Sequence, residues 1–255
     1  MRLIDNHTHL NDAAFRGREA DYLARAKDLQ VERLICVGQD PEFNLRALAL
    51  AARFQPVYAM VGYCPDVASK FDDAACQLLT QQLQQPKVVA LGEIGLDYYW
   101  DESPREVQRA VFERQLDLAY QLHLPVNIHT RDAFADCYEM LKRHDLRYGA
   151  VLHSYNGGPA MTQQFLTLNV QFSFSGVASF TKATEVHESV KLVPLERLLV
   201  ETDAPYLTPK PYRGKQNEPG YVYYVAQAIA ELKACSLERV AAQTYANTVK
   251  VYHLE

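Results

Sequence analysis

The sequence predicts a closed α/β fold, a single (β/α)8 TIM barrel formed by the whole chain (1–255) as one domain. Three observations lead there. Short runs that are apolar at nearly every position, as strands buried on both faces are, alternate with longer stretches of helical periodicity. The alternation repeats eight times in 255 residues, the usual size of such a barrel. Finally, the first strand leads into His7-Thr8-His9, where an open doubly wound sheet would carry a glycine-rich phosphate loop.

The elements follow in order. A strand over 2–7 precedes a helix over 19–29, and the apolar run 33–38, closed by Gly38, is the second strand. An Ala/Leu-rich helix over 42–54 leads to a strand over 57–62, and a helix over 72–84 to a strand over 87–92 that ends at Gly92. The amphipathic helix 105–122 starts behind Pro104, where a missing N–H costs nothing. Strands over 125–129, 149–153, 170–175 and 198–202 complete the eight, separated by helices over 134–144, 160–168 and 183–192. Helices over 222–234 and 237–245 close the chain.

With 48% hydrophobic and 22% charged residues, the composition suits a globular protein with a large core, and no Gly/Ser-rich or Pro-rich linker divides it. The formal charge of -5 excludes a broad basic surface for nucleic acid or anionic lipid, so any grip on phosphate must be local. Five cysteines, odd in number and without a CxxC pair, read as reduced thiols. The first ten residues carry charge and histidine where a signal peptide needs an apolar core, and no run is long enough to span a bilayer. The expectation is a cytoplasmic protein with no membrane association and no stable protein partner.

Asp5, His7 and His9 alternate, and alternate residues of a strand share a face, so two imidazoles leave the first strand on one side. A catalytic metal needs at least three protein ligands, so other segments must converge there. Glu93 follows the predicted fourth strand, His129 and His153 end the fifth and sixth, and Asp203 ends the eighth. In a barrel all these strand ends meet at the C-terminal rim, where active sites of this fold lie. The other histidines, His123, His144, His187 and His253, fall in helices or loops and are assigned ordinary packing or surface roles. Four imidazoles and two carboxylates are too many for one tetrahedral ion, and suit a pair of divalent ions about 3.5–4 Å apart.

Five segments, Asp5-Asn-His-Thr-His-Leu10, Gly92-Glu-Ile-Gly-Leu-Asp97, Ile128-His-Thr-Arg-Asp132, Ser173-Phe-Ser-Gly176 and Glu201-Thr-Asp-Ala-Pro-Tyr-Leu-Thr-Pro209, resemble the signatures of the TatD-type metal-dependent deoxyribonucleases, in order along the whole chain. The resemblance implies a hydrolase barrel with two divalent ions (Zn, Mg or Mn) that cleaves phosphodiester bonds of DNA with a metal-activated water. It carries over His7, His9 and Asp203 as ligands of one metal, His129 and His153 of the second, and Glu93 as the bridge; in the hydrolysis expected here, Asp203 takes the water's proton. Cys64 stands where many members have histidine, Ser154-Tyr155-Asn156 replaces Cys-Phe-Ser, and Gln216 replaces an arginine. The same site acting on a small-molecule amide, lactone or phosphotriester is the alternative, since fold and ligand set do not fix the substrate. A scaffold that has lost its chemistry is disfavoured, because no ligand position is vacant.

Asp5, Asn127 and Glu201 each lie two positions before a ligand, hence on the same face, and are expected to orient imidazoles or pair with Arg131. Tyr98, Tyr99 and Trp100 fall on a rim loop as stacking surfaces or loop packing. Lys210, Arg213 and Lys215, after the eighth strand, are candidates to meet substrate phosphate.

Overall fold

The computed structural model describes residues 1–254. Eight parallel strands pair in chain order: β1 (Leu3–Thr8), β2 (Val31–Val37), β3 (Val57–Val61), β4 (Val88–Asp97), β5 (Val126–Arg131), β6 (Ala150–Leu152), β7 (Gln171–Phe174) and β8 (Leu198–Val200). Helices α1 (Glu19–Asp28), α2 (Pro41–Arg53), α3 (Asp73–Leu83), α4 (Arg105–Gln121), α5 (Phe134–Arg143), α6 (Gly158–Phe165), α7 (Thr184–Leu192), α8 (Val222–Leu232) and α9 (Leu237–Val251) fill the crossovers and the C-terminus. This is the expected TIM barrel, with most boundaries within a few residues of those read from the periodicity.

Two elements run longer than the sequence suggests. β4 does not stop at Gly92 but continues through Glu93 to Asp97, pairing Ile94 to Asp97 with Ile128 to Arg131 after a register shift. Glu93 therefore sits inside a strand and not after it, at an irregularity of the kind that re-aims a side chain. Gly95 makes the extension possible. Its φ is +142°, and a Cβ there would lie 1.9 Å from the His129 carbonyl oxygen. α9 extends past Tyr245 to Val251 because its polar late residues are buried and used: Asn247 Nδ2 donates to the carbonyls of Leu195 and Leu198, and Thr248 Oγ1 to that of Thr244.

The lower interior is filled by the inward-facing Ile4, Ile35, Val37, Met60, Ala90, Val151 and Leu199, which pack with Tyr252 and Leu254 from the chain's end. A larger apolar layer lies between sheet and helices. The seam between β1 and β8 is closed largely by side chains. Asp5 accepts from Thr202 N–H (2.8 Å) and Thr202 Oγ1 (2.6 Å), and Asn6 Nδ2 donates to the Val200 carbonyl (2.7 Å). Above them, Asp203 N–H donates to the His7 carbonyl and His9 N–H to that of Ala204. Asp5 thus fastens the barrel and touches no imidazole, which corrects the role expected for it. The register shift between Asp5 and Thr8 breaks the simple alternation on which that expectation rested. Among the described residues, no helix is long and apolar enough to cross a membrane, and all five cysteines are free.

Candidate metal centre

The C-terminal ends of the strands open on a cavity of about 590 Å³ whose floor holds the six expected ligands. They fall into two groups joined by one carboxylate. In the first, His7 Nε2 and His9 Nε2 are 3.4 Å apart, each 3.8 Å from Glu93 Oε2, and 3.7 and 3.3 Å from Asp203 Oδ1. In the second, His129 Nδ1 and His153 Nε2 are 3.1 Å apart and lie 2.8 and 3.0 Å from Glu93 Oε1. Each oxygen of Glu93 faces one group. Asp203 reaches the site through a left-handed backbone turn just after β8 (φ +55°), a conformation that aspartate tolerates better than most residues.

The far side of each ring fixes which nitrogen faces the site. Asn127 donates its Nδ2 to the Tyr252 hydroxyl (2.9 Å), so its Oδ1 accepts from His7 Nδ1 (3.0 Å). The Val37 carbonyl accepts from His9 Nδ1, Asp97 Oδ2 from His129 Nε2 (2.9 Å), and Glu201 Oε1 from His153 Nδ1 (3.2 Å). With these positions occupied, neutral rings turn four lone pairs toward one another and toward two carboxylates. Such a set is repulsive unless positive charge sits among it, and neutral imidazole with carboxylate is the donor chemistry of zinc and similar divalent ions.

The acid–base balance points the same way. Burial works against charge on His129, but Asp97 and Glu93 outweigh it and raise its pKa to about 9. Burial opposes charge on His153 too, yet Glu93 and Glu201 hold it well above the ordinary value. His7, buried and beside His153, is pushed well below. Without a cation, the second group compensates its carboxylates by taking up protons. A divalent ion supplies that charge instead and displaces the protons. The residues present therefore fit a metal centre.

Of the residues expected behind the ligands, Asn127 and Glu201 touch imidazoles, Asp5 does not, and Arg131 lines the cavity without pairing with any of them. Arg213 and Lys215 are not brought into the cavity. Arg213 lies over the Phe180 ring (4.1 Å to its centroid), and Lys215 near that of Tyr212 (5.7 Å). Asp97 and Tyr252 belong to the site and were not anticipated. Asp97 shares the period-2 face of Glu93, a signal hidden once the strand is ended at Gly92. Tyr252 carries no signal beyond an aromatic near the C-terminus.

The profile of a protein family described as TatD related DNase matches residues 4–253. The chain belongs to the TatD family. It is similar to the uncharacterized metal-dependent hydrolase YabD of Bacillus subtilis, with 38% identity over 253 residues and 99% of both chains covered. The uncharacterized metal-dependent hydrolase TatD of Mycobacterium tuberculosis is 37% identical over 262 residues, covering 99% of this chain and 98% of its own. Among solved structures, YjjV, a TatD homologue from Escherichia coli K12, superposes with a TM-score of 0.94 at 33% identity, covering 100% of this chain and 99% of that one. The chain is accordingly a TatD-family metal-dependent hydrolase.

Proposed function

We propose that this TatD-family hydrolase is a deoxyribonuclease that uses two divalent ions to hydrolyse phosphodiester bonds of DNA. The observation that carries the reading is Glu93, whose two oxygens address separate donor groups, as a bridging carboxylate must in a two-ion phosphodiesterase. His7, His9 and Asp203 would hold one ion, His129 and His153 the other, and Glu93 both. When bound, such ions act as Lewis acids that neutralise phosphoryl oxygens and make a water acidic enough to lose a proton near neutral pH.

The chain's own residues do the rest. Asp203, whose side chain is 14% exposed and lines the cavity, is placed to take that proton on its carboxylate. Asp97 and Glu201 hold the His129 and His153 rings from behind, so these two ligands do not swing as charge develops. Arg131 is the one arginine or lysine among the residues lining the cavity, so it meets the phosphate of an incoming strand at the rim.

Metal-supplemented assays on labelled single- and double-stranded DNA, run beside ester, lactone and amide panels, test the reading. Metal-dependent release of nucleotides or fragments, lost in His153→Ala, is the expected result. Turnover confined to the small-molecule panel would replace a nuclease with an amidohydrolase-type enzyme.

A further inference from the structure

Beneath the ligands the barrel interior holds a polar layer: Asn6 of β1, Asn127 of β5, Ser173 of β7 and Glu201 just after β8, all fully buried. Tyr252, the residue after α9, enters this layer from below. It is 2% exposed, and its ring packs with the apolar floor that includes Ile4, Val37 and Leu199. α9 fixes where the ring stands, because Asn247 bonds the helix to the barrel and Tyr252 N–H donates to the Thr248 carbonyl (3.1 Å).

The four imidazoles of the centre differ in what stands behind them. His9, His129 and His153 lean on groups that can only accept, the Val37 carbonyl and the carboxylates of Asp97 and Glu201. His7 alone leans on an amide, that of Asn127, which offers an acceptor at one end and a donor at the other. With Oδ1 toward His7 Nδ1 (3.0 Å), the ring carries its hydrogen there and keeps the Nε2 lone pair for an ion. With the amide ends exchanged, the donor would meet Nδ1 and drive the hydrogen onto Nε2, where it points at His9 and Glu93 and removes the ligand. Asn127 cannot escape the choice by moving away. Gly92 passes so close that a Cβ there would lie 2.7 Å from Asn127 Cβ.

Tyr252 makes the choice by accepting from Asn127 Nδ2 (2.9 Å). A phenol can donate as well as accept, so its own hydrogen must be drawn elsewhere. Burial raises its pKa and the Glu201 charge adds to this, so the hydroxyl keeps that hydrogen. Glu201 Oε2 is buried without a hydrogen-bond partner among the described residues, and its charge turns the hydroxyl dipole toward itself, leaving the phenol's lone pair to Asn127.

We infer that Tyr252 is a positioning residue for the β1/β8 ion: from the barrel floor it orients the Asn127 amide and thereby keeps the His7 Nε2 lone pair turned to the metal site. The inference rests on the two-ion reading for what that lone pair serves, whereas the choice of ring nitrogen belongs to the metal-free protein as well.

Tyr252→Phe removes one oxygen and keeps the packing ring. In the chelator-treated protein at neutral pH the His7 ring is neutral, and the NMR shifts of its two nitrogens tell Nδ1–H from Nε2–H. Wild type is expected to show Nδ1–H alone, and Tyr252→Phe an average of the two forms. With both amide orientations equally good, about half of the molecules present the lone pair, so Zn2+ affinity of the β1/β8 group should fall about twofold. Asn127→Asp is the rescue, because a carboxylate has no donor end to turn inward. On that background Tyr252→Phe should change neither tautomer nor affinity. A tautomer that Tyr252→Phe leaves as in wild type, or an equal change on the Asn127→Asp background, shows that Tyr252 only fills space and overturns the inference. A wild-type protein that takes up no Zn2+ overturns the two-ion reading, while the tautomer comparison still decides for or against Tyr252.

Discussion

The two halves of the metal centre carry their negative charge in different places. On the β5/β6 side, His129 and His153 lean on carboxylates, Asp97 and Glu201, one layer behind the ligand atoms. On the β1/β8 side, His7 and His9 lean on neutral oxygens, those of Asn127 and the Val37 carbonyl, and the anion is Asp203 itself, among the ligands. An imidazole that donates to a carboxylate is the stronger base and the richer ligand. On the proposed two-ion reading, the β5/β6 half would hold its ion the more firmly, while the β1/β8 half keeps its carboxylate at the cavity surface, where it could also accept a proton.

The largest test removes what the halves share. Glu93→Gln should lower turnover by about a thousandfold or more, the several kcal/mol ascribed to ion-stabilised charge, and weaken ion binding in both groups. Elemental analysis beside a rate assay checks it. Near-normal turnover with a lowered melting temperature of the metal-free protein would mean that Glu93 is structural.

A smaller effect distinguishes the halves. Asp97→Asn and Glu201→Gln should each weaken metal affinity about 10- to 100-fold, confined to the ion of the β5/β6 group. Asn127→Ala removes only a neutral acceptor and should cost less than either. Chelator competition reads the order, and equal losses in all three variants would erase the difference between the halves.

The smallest effect is in pH, on the chelator-treated protein. His129, with its pKa raised to about 9, contributes stability that is complete below the ordinary histidine value near 6.5 and is lost as pH rises through about 9. His7, with its pKa depressed by burial, acts oppositely, and stability falls as pH drops below about 6.5. Denaturant midpoints across that range should show both slopes, and Asp97→Asn should lessen the alkaline one, to which His153 and His9 also contribute, and leave the acid one in place.

Much of this centre was readable in the sequence because strands impose period 2 and a barrel sends all its strand ends to one rim. His7, His9, His129, His153 and Asp203 were found from that rule together with the family's motifs. What escaped lay where the rule fails or where contacts are long-range. Gly92 looks like a terminator, yet β4 continues through it, so Asp97 was lost with the strand's second half. Asp5 obeys the alternation on paper, but the register shifts beside it and the carboxylate turns sideways to β8. Tyr252 reaches Asn127 across 125 positions of sequence, a hydrogen bond that no local pattern announces. Arg213 and Lys215 show the converse: basic residues near a motif turn to nearby rings.

The seam that Asp5 closes has a consequence for the order of events during synthesis. It joins residues 197 positions apart, and the His7, His9 and Asp203 group straddles it. At roughly 5 to 20 residues per second, the two histidines emerge from the ribosome about 10 to 40 seconds before their carboxylate partner exists. The β1/β8 half of the centre is therefore among the last features the nascent chain can complete, and an ion seated there would report that its two ends have met.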